Sequence, residues 1–536
     1  MAGKAKSSSH VVERTPSVIR DEEKEEVINQ IRNLELDNKV GFDQRAVGQV
    51  SQAVRVEQER RNGGIRYEPL PVTDLDKGTV GWQSEIDPAM PFNFSRLQKW
   101  TWIWLLSAIT LLTPFATSIL SPAINIMDAD FGNENSTLGS MTVTIYLLGY
   151  VVGPIFIGPL SEIHGRKMVL CVANAFFCLW QIGCALAPNI EILIVSRFFS
   201  GVGGAACLSL GGSIIGDMFR PDNRGFAIGM WNLGPLFGPV VGPLLGGFVT
   251  QYIGWRWDFW IVLAAASPVT LLIAVCTRET CHKVIIEQRT AFLRKELGRD
   301  DLASCYNDSG QQSEMQILRT NLLRPLNLIV FSPIVLTLSL YISFVFGLVY
   351  LLYTTIPTVF EDKYGFNTGE TGFPYISLGL GNVLAWLLFT IYSDKLVIQL
   401  AQANQGTFTP EMRLILSIPF GLLLPLSLFW YGWSSDYNLH WASTIISLVP
   451  FGFGIVGLFL PISTYIVDSY PIYAASATSA NVILRSVTGA LLPLAGPSLY
   501  GSLGLGWGNS LLGFIAIVMA PLPFVFYKFG ARLRKA

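Results

Sequence analysis

A short turn between two apolar runs carries side chains that could bind and release a proton. Residues 158–167 include Glu162 and Arg166, which are four positions apart, and a carboxylate and a guanidinium can pair at that spacing on a helix. Protonation of the carboxyl group would break such a pair. Further acids stand at the ends of apolar runs, namely Asp217, Asp394 and Asp468. Two interpretations stay open: a latch that a proton releases, and simple interfacial salt bridges.

Two arginines, Arg197 and Arg485, stand inside otherwise uncharged apolar runs. If these runs cross a membrane, each charge costs at least ~2.5–3.5 kcal/mol, so it normally faces a polar cavity and has a partner. Either arginine could instead brace helices by bonding backbone carbonyl groups. Arg485 suits that second role, since Ser486 is beside it and Asn481 is one helical turn before it.

The sequence also restricts which solutes and which chemistry are plausible. No carboxylate lies in the middle of an apolar run, and a multivalent cation would need buried carboxylates to replace its water. Neutral, amphipathic or weakly anionic solutes therefore fit better. The four histidines are far apart in the chain, and no cluster of His, Asp or Cys stands at one end of the runs, so we expect no metal, no cofactor and no catalytic centre. No basic stripe supports nucleic-acid binding.

The fifth apolar run repeats glycine and proline over residues 234–247. Prolines remove backbone hydrogen bonds and bend a helix, and glycines at every fourth position let a neighbouring backbone approach closely. The positions that carry this pattern are Gly234, Gly238, Pro239 and Gly242. The run is either a simple small-residue packing face or a kinked interface that changes with conformation.

Polar and aromatic side chains inside the runs could line a substrate cavity. The candidates are Asn232, Tyr341, Tyr350, Asn382 and Arg485. The alternative for the tyrosines is the headgroup region, where membrane proteins concentrate aromatic residues.

Twelve apolar runs must position these residues. Only 14% of the 536 residues are charged, against roughly a quarter in soluble chains, and ~20 apolar residues cross a membrane as a helix. The runs lie at about 101–123, 138–157, 169–187, 192–216, 226–253 and 259–276, and then at 333–356, 373–392, 414–433, 441–467, 475–500 and 511–527. The two halves show a weak sequence similarity. Ser161-Glu162 and Ser393-Asp394 end the second run of each half, and Asp217 and Asp468 end the fourth. The pattern predicts an all-α membrane protein built as two six-helix repeats.

The distribution of Lys and Arg predicts orientation, since basic loops mark the cytoplasmic side. They concentrate in the turn at 158–167, in the polar segment between the halves and at the C-terminus, so we place both termini in the cytoplasm. The predicted domains are a mostly disordered cytosolic tail (1–98), a six-helix bundle (99–276), a cytosolic central segment (277–332), a second bundle (333–528) and a cytosolic C-terminal tail (529–536).

These motifs resemble those of the major facilitator superfamily. Residues 158–167 are similar to its motif between the second and third helices, with Glu162 in place of the usual Asp. Residues 197–204 resemble its fourth-helix arginine motif, and residues 234–242 resemble its fifth-helix antiporter motif. More narrowly, segments 254–257, 289–298 and 468–486 are similar to the twelve-helix drug:proton antiporters of fungi.

The resemblance, which covers about residues 87–530, implies the major facilitator fold, with twelve transmembrane helices in two pseudo-symmetric six-helix bundles. It implies that Glu162, Arg166 and Asp217 form a cytoplasmic charge cluster and that Arg197 takes part in proton coupling. We add Asp468 to this latch as the counterpart of Asp217 in the second half.

We therefore predict a monomeric plasma-membrane transporter that exports small organic compounds in exchange for protons by alternating access. Its partners are the substrate, protons and membrane lipid. Drugs, toxic or secondary metabolites and organic acids all remain possible substrates, and the vacuolar membrane remains a possible location. The alternative is a proton-coupled uptake symporter, which the glycine-proline run disfavours. A polytopic membrane enzyme is a remote alternative.

Overall fold

The computed structural model describes residues 71–84, 86–219, 224–306, 329–404, 409–469 and 474–533, with the backbone alone at 224–226, 394, 401, 474–478 and 531–533. Most of the predicted tail and the side chain of Asp394 thus lie outside the described part. The chain divides into two compact units. The larger unit is Phe94–Ile285 with Ser309–Ala536, and the smaller unit is Met1–Asn93 with Ile286–Asp308.

Local sequence signals begin and end the helices in the first half of the larger unit. Ser95 and Gln98 form a capping box at the start of the first helix. Gly165, with a φ of 97°, separates the third helix from the fourth. The helices are α1 (Arg96–Ser118), α2 (Ile124–Phe131), α3 (Ser136–His164), α4 (Arg166–Ala185), α5 (Ile190–Met218), α6 (Arg224–Tyr252) and α7 (Arg256–Cys276), after which α8 (His282–Leu297) follows along the chain.

The second half is also helical over its described residues. Its helices are α9 (Pro333–Tyr364), α10 (Pro374–Ala403), α11 (Ser417–Asp436), α12 (Trp441–Ile446), α13 (Leu448–Ser469), α14 (Ala474–Leu491), α15 (Gly496–Met519) and α16 (Leu522–Leu533). The predicted limits of the last two runs, 475–500 and 511–527, are wrong. Pro493, which has no backbone N–H, lies in a 3-10 turn that ends α14, and α15 begins directly after that turn at Gly496.

Among the described residues, eleven stretches are long and apolar enough to cross a membrane. The last of them, Ser479–Gly530, has 52 residues and includes both α15 and most of α14, whereas ~20 residues suffice for one crossing. When these two helices are counted separately, the result is the twelve-helix layout that the sequence predicts.

The two halves repeat the same packing. In the first half α1 packs on α6, α3 packs on α5, and α4 packs on both α5 and α7. In the second half α9 packs on α14, α10 packs on α13, and α11 packs on both α13 and α15. The two sets of contacts are equivalent: each helix of the first half corresponds to the helix six membrane spans later, and corresponding helices make corresponding contacts. The predicted two-bundle, pseudo-symmetric architecture is therefore confirmed.

The smaller unit joins two segments that are far apart in the chain. Strand β1 (Thr79–Val80) pairs in parallel with strand β2 (Ala303–Ser304). Trp82 is fully buried, and its Nε1 donates to the Tyr306 hydroxyl at 3.2 Å. Arg289 Nη1 donates to Asp87 Oδ2 at 2.7 Å, which pairs a buried carboxylate with a cation. The end of the predicted tail thus folds with part of the predicted central segment, an association that no local sequence pattern indicates.

Candidate functional site

A charge cluster forms where α3 meets α4. Arg166 Nε lies 3.3 Å from Oδ2 of Asp217, which stands at the end of α5. Arg166 Nη1 donates to Ser161 Oγ. The carboxylate of Glu279 accepts the backbone N–H groups of Arg166 (2.7 Å) and Lys167 (3.1 Å). These donors belong to the first turn of α4, where backbone N–H groups lack partners within the helix and attract negative charge. Arg166 is thus held between α3 and α5, while Glu279 caps α4.

Glu162 does not form the expected ion pair with Arg166. It is exposed, and no described residue pairs with it. The reason is local: the four-residue spacing supports a pair only within one continuous helix, and the positive φ of Gly165 ends α3 between the two residues. The structure therefore brings Arg166 and Asp217 together and leaves Glu162 at the surface of the same turn.

His282 contacts the end of α5 next to the charge cluster. A ring nitrogen of His282 lies 3.0 Å from the backbone oxygen of Asp217. Burial lowers the pKa of this imidazole below its ordinary value, although the hydrogen bond to the Asp217 carbonyl group acts in the opposite direction. The ring is consequently neutral at neutral pH and adds no charge to the cluster.

The second half repeats the cluster with the same atom types. Arg413 Nε lies 3.2 Å from Asp468 Oδ2, at the end of α13, and Arg413 Nη1 donates to Ser393 Oγ at 3.3 Å. Ser393 and Ser161 occupy equivalent places on α10 and α3. The sequence similarity between the halves identifies Asp468 and Ser393 but misses Arg413, because no glycine-broken basic turn marks it. Each half therefore has one Arg–Asp–Ser triad at the same end.

Arg197 is far from this cluster. It precedes Asp217 by twenty residues on α5, which corresponds to about 30 Å along a helix. Its guanidinium group is fully buried and donates to the backbone oxygens of Ala116 (2.7 Å), Thr117 (2.9 Å) and Thr142 (2.9 Å). The first two carbonyl groups belong to the last turn of α1, where they have no partner within the helix. Arg197 thus ties α1 and α3 to α5.

A cavity of about 160 Å³ lies between the two halves of the larger unit. Four helices of each half line it: α1, α3, α5 and α6 on one side, and α9, α10, α13 and α14 on the other. Of the five predicted cavity residues, four line this space, namely Asn232, Tyr350, Asn382 and Arg485. Tyr341 is not among the lining residues and is fully buried within α9.

Helix α6 places its glycines and its prolines in different environments. A Cβ atom at Gly234 would lie 2.8 Å from the Leu111 backbone nitrogen, and one at Gly238 would lie 2.6 Å from the Leu111 backbone oxygen. Gly242 approaches the Phe115 carbonyl oxygen of the same helix, α1, in the same way. Pro239 instead lines the cavity. The glycine face thus allows close packing on α1, while the proline side faces the space between the halves.

Among the described residues, two hydrogen bonds join the halves at the end of the helices opposite Arg166. Asn125 Nδ2 donates to Glu361 Oε2, and the backbone nitrogen of Gly369 donates to Gln251 Oε1 at 2.9 Å. Glu361 stands near the end of α9, and Gln251 stands near the end of α6. The cavity therefore has polar cross-links between the halves on one side and an Arg–Asp–Ser triad within each half on the other.

Sequence and structure comparisons extend these observations. The Major Facilitator Superfamily model matches residues 106–493. The chain is 43% identical to "MFS-type transporter atr4" of Stereocaulon alpinum over 462 residues, 86% of this chain and 83% of that protein. It is 38% identical to "Efflux pump radE" of Floropilus chiversii over 462 residues, 86% of each protein. The xylose transporter XylE from E. coli matches with a TM-score of 0.60 and 16% identity over 81% of this chain and 98% of XylE.

Proposed function

This chain belongs to the major facilitator superfamily, and from that premise we propose that it exports small organic compounds in exchange for protons. It is a multi-pass membrane transporter rather than an enzyme. The observation that carries the proposal is the cavity that four helices of each half line together. If one end of the two halves closes while the other opens, this space faces each side of the membrane in turn.

The triads are the proposed latch in this cycle. Arg166 and Asp217 are each only partly exposed, so their pairing is less screened than at an open surface. Protonation of Asp217 removes its negative charge and leaves Arg166 with Ser161 as its remaining side-chain partner. We assign the corresponding role in the second half to Arg413 and Asp468. Glu162, which is exposed, has no such partner among the described residues.

Other observations support the proposed direction and location. The basic residues at the triad end favour a cytoplasmic position for that end, and we propose that both termini lie on the same side. The glycine-proline pattern of α6 supports exchange rather than symport, and the name of one relative, an efflux pump, supports outward transport. We place the protein in the plasma membrane, where export removes a toxic or secondary metabolite or a drug from the cell.

The direction of the proton gradient provides the decisive test. The purified protein would be reconstituted in liposomes, and a panel of radiolabelled organic compounds would be offered under gradients of opposite sign, with protein-free liposomes as the control. An antiporter accumulates its substrate when the lumen is acidic, because protons leave as the substrate enters. Accumulation that instead requires an acidic exterior would establish symport. Accumulation that ignores the gradient would rule out proton coupling.

A further inference from the structure

Among the described residues that line the cavity, Arg485 is the one cation, and its surroundings differ from those of Arg197. Arg485, on α14, lies between two aromatic rings, with its Cζ 5.1 Å from the centroid of Phe346 and 5.2 Å from that of Phe459. Phe346 belongs to α9 and Phe459 to α13, and all three side chains line the cavity. The rings hold the guanidinium plane at the cavity wall and contribute cation–π attraction.

The donors of Arg485 are not satisfied as those of Arg197 are. Each of the three guanidinium nitrogens of Arg197 donates a hydrogen bond to a backbone oxygen. Arg485 Nε is buried without a hydrogen-bond partner, and no acidic side chain is present among the described residues that line the cavity. A charge inside the membrane without a counter-charge is costly, so this site is incomplete within the described protein. A ligand that carries a negative charge would complete it.

The remainder of the wall indicates what else such a ligand contains. Beside Arg485 the lining consists mainly of Leu, Ile, Val, Pro, Phe and Trp side chains. The other polar residues of the lining are Asn232, Asn382, Ser486 and three tyrosines, Tyr150, Tyr350 and Tyr353. An apolar body gains free energy by leaving water for this surface. A planar guanidinium group binds a carboxylate through two parallel hydrogen bonds.

We propose that the cavity takes an amphipathic organic monoanion, whose carboxylate or similarly acidic oxygen pairs with Arg485 and whose apolar body lies among the surrounding aliphatic and aromatic side chains. This inference uses the same cavity as the proposed export function and narrows its substrate class. It excludes organic cations as preferred substrates.

A pair of probes that differ in charge but hardly in shape tests the inference. Binding of 2-naphthoate and of neutral 2-naphthamide to the purified full-length protein would be measured by equilibrium titration at neutral pH. We expect the wild type to bind 2-naphthoate at least about tenfold more tightly, which corresponds to about 1.4 kcal/mol. Arg485→Gln should bind the two probes equally, and Arg485→Lys should keep part of the preference because it keeps the charge.

A change in the apolar wall serves as the matched control. Trp386→Leu removes contact area without changing the charge, so it should weaken the binding of both probes by the same factor. Thermal unfolding of each variant checks that the fold is intact, and the charge-retaining Arg485→Lys variant separates loss of charge from loss of packing. Equal binding of the two probes by the wild type, a preference that survives in Arg485→Gln, or no binding of 2-naphthoate would each overturn the inference.

The two proposals can fail independently. Charge-selective binding without gradient-driven transport would support the inference and contradict proton exchange. Gradient-driven transport by a protein that binds both probes equally would support the proposed function and overturn the inference.

Discussion

At the scale of single residues, charged side chains of the same type differ in how many of their hydrogen-bonding groups have partners. Arg197 and Arg485 are both arginines within apolar runs. Each guanidinium nitrogen of Arg197 donates to a backbone oxygen, whereas Arg485 has a buried Nε without a partner. The same holds for the acids near Arg166, since Asp217 is paired and Glu162 is exposed. The contacts of each side chain therefore predict different consequences of substitution.

The latch predicts a difference between two carboxyl-to-amide substitutions at one end of the first half. Asp217→Asn removes the charge that faces Arg166, whereas Glu162→Gln changes an exposed group. We expect the Asp217 variant to lose at least about tenfold in gradient-driven transport, equivalent to about 1.4 kcal/mol, and the Glu162 variant to change by less than about twofold, or about 0.4 kcal/mol. Initial rates in liposomes, normalised to the amount of protein, measure both. Equal losses in the two variants would contradict the assignment of the latch to Asp217.

Arg197 should behave as a structural residue. Arg197→Ala leaves the carbonyl groups of Ala116, Thr117 and Thr142 without their side-chain donor, and a buried polar group without its partner costs ~1–3 kcal/mol. We expect a clearly lower thermal unfolding midpoint in detergent, accompanied by loss of transport. A variant with the stability of the wild type but no proton coupling would show instead that Arg197 acts in coupling, as the family resemblance implies.

At the scale of elements, the α1–α6 contact shows why small residues recur in one helix. Glycines on one side of α6 allow its backbone to meet that of α1, while prolines on another side line the cavity. The two interpretations of the glycine-proline run, close packing and a kinked interface, are therefore compatible, because different faces of the helix carry them.

Two Gly→Ala substitutions in α6 test this arrangement. At Gly238 the added Cβ would lie 2.6 Å from the Leu111 carbonyl oxygen, whereas at Gly229 it would meet no described atom within 4 Å beyond its own stretch of helix. Overpacking typically costs ~1–3 kcal/mol, so Gly238→Ala should lower the unfolding midpoint and the transport rate. Gly229→Ala should be neutral or slightly stabilising, since alanine favours helices by ~0.5–1 kcal/mol over glycine. A neutral Gly238→Ala would argue against tight α1–α6 packing.

At the scale of the whole molecule, the two halves share a cavity and meet through a few polar bonds at one end. The triads lie within each half, whereas the bonds of Asn125 with Glu361 and of Gln251 with Gly369 cross between halves. Alternating access requires the crossing bonds to break and re-form, because a permanent connection at that end would prevent the cavity from opening there.

A reversible cross-link at the Asn125–Glu361 contact tests this requirement. Asn125→Cys with Glu361→Cys places one thiol on each side of this contact, and a short bifunctional thiosulfonate reagent can bridge them through reducible disulfide bonds. Bridging should abolish transport, and reduction should restore it. Each single cysteine variant, treated with the same reagent, controls for reactions of the seven native cysteines. Full transport by the cross-linked protein would contradict movement of the halves at this end.

The sequence by itself determined the architecture, because the hydropathy of a run of ~20 residues is a local property that needs no knowledge of neighbours. The six-plus-six order of spans could be derived in this way, and the repeat of the halves together with the motif resemblance indicated a membrane transporter. Only the tertiary structure decided which carboxylate faces Arg166, that Arg413 completes the second triad, and which intramembrane arginine has a donor to spare. The two ion pairs join residues that are 51 (Arg166 with Asp217) and 55 (Arg413 with Asp468) positions apart in the chain. Helix packing, rather than residue type, determines these outcomes.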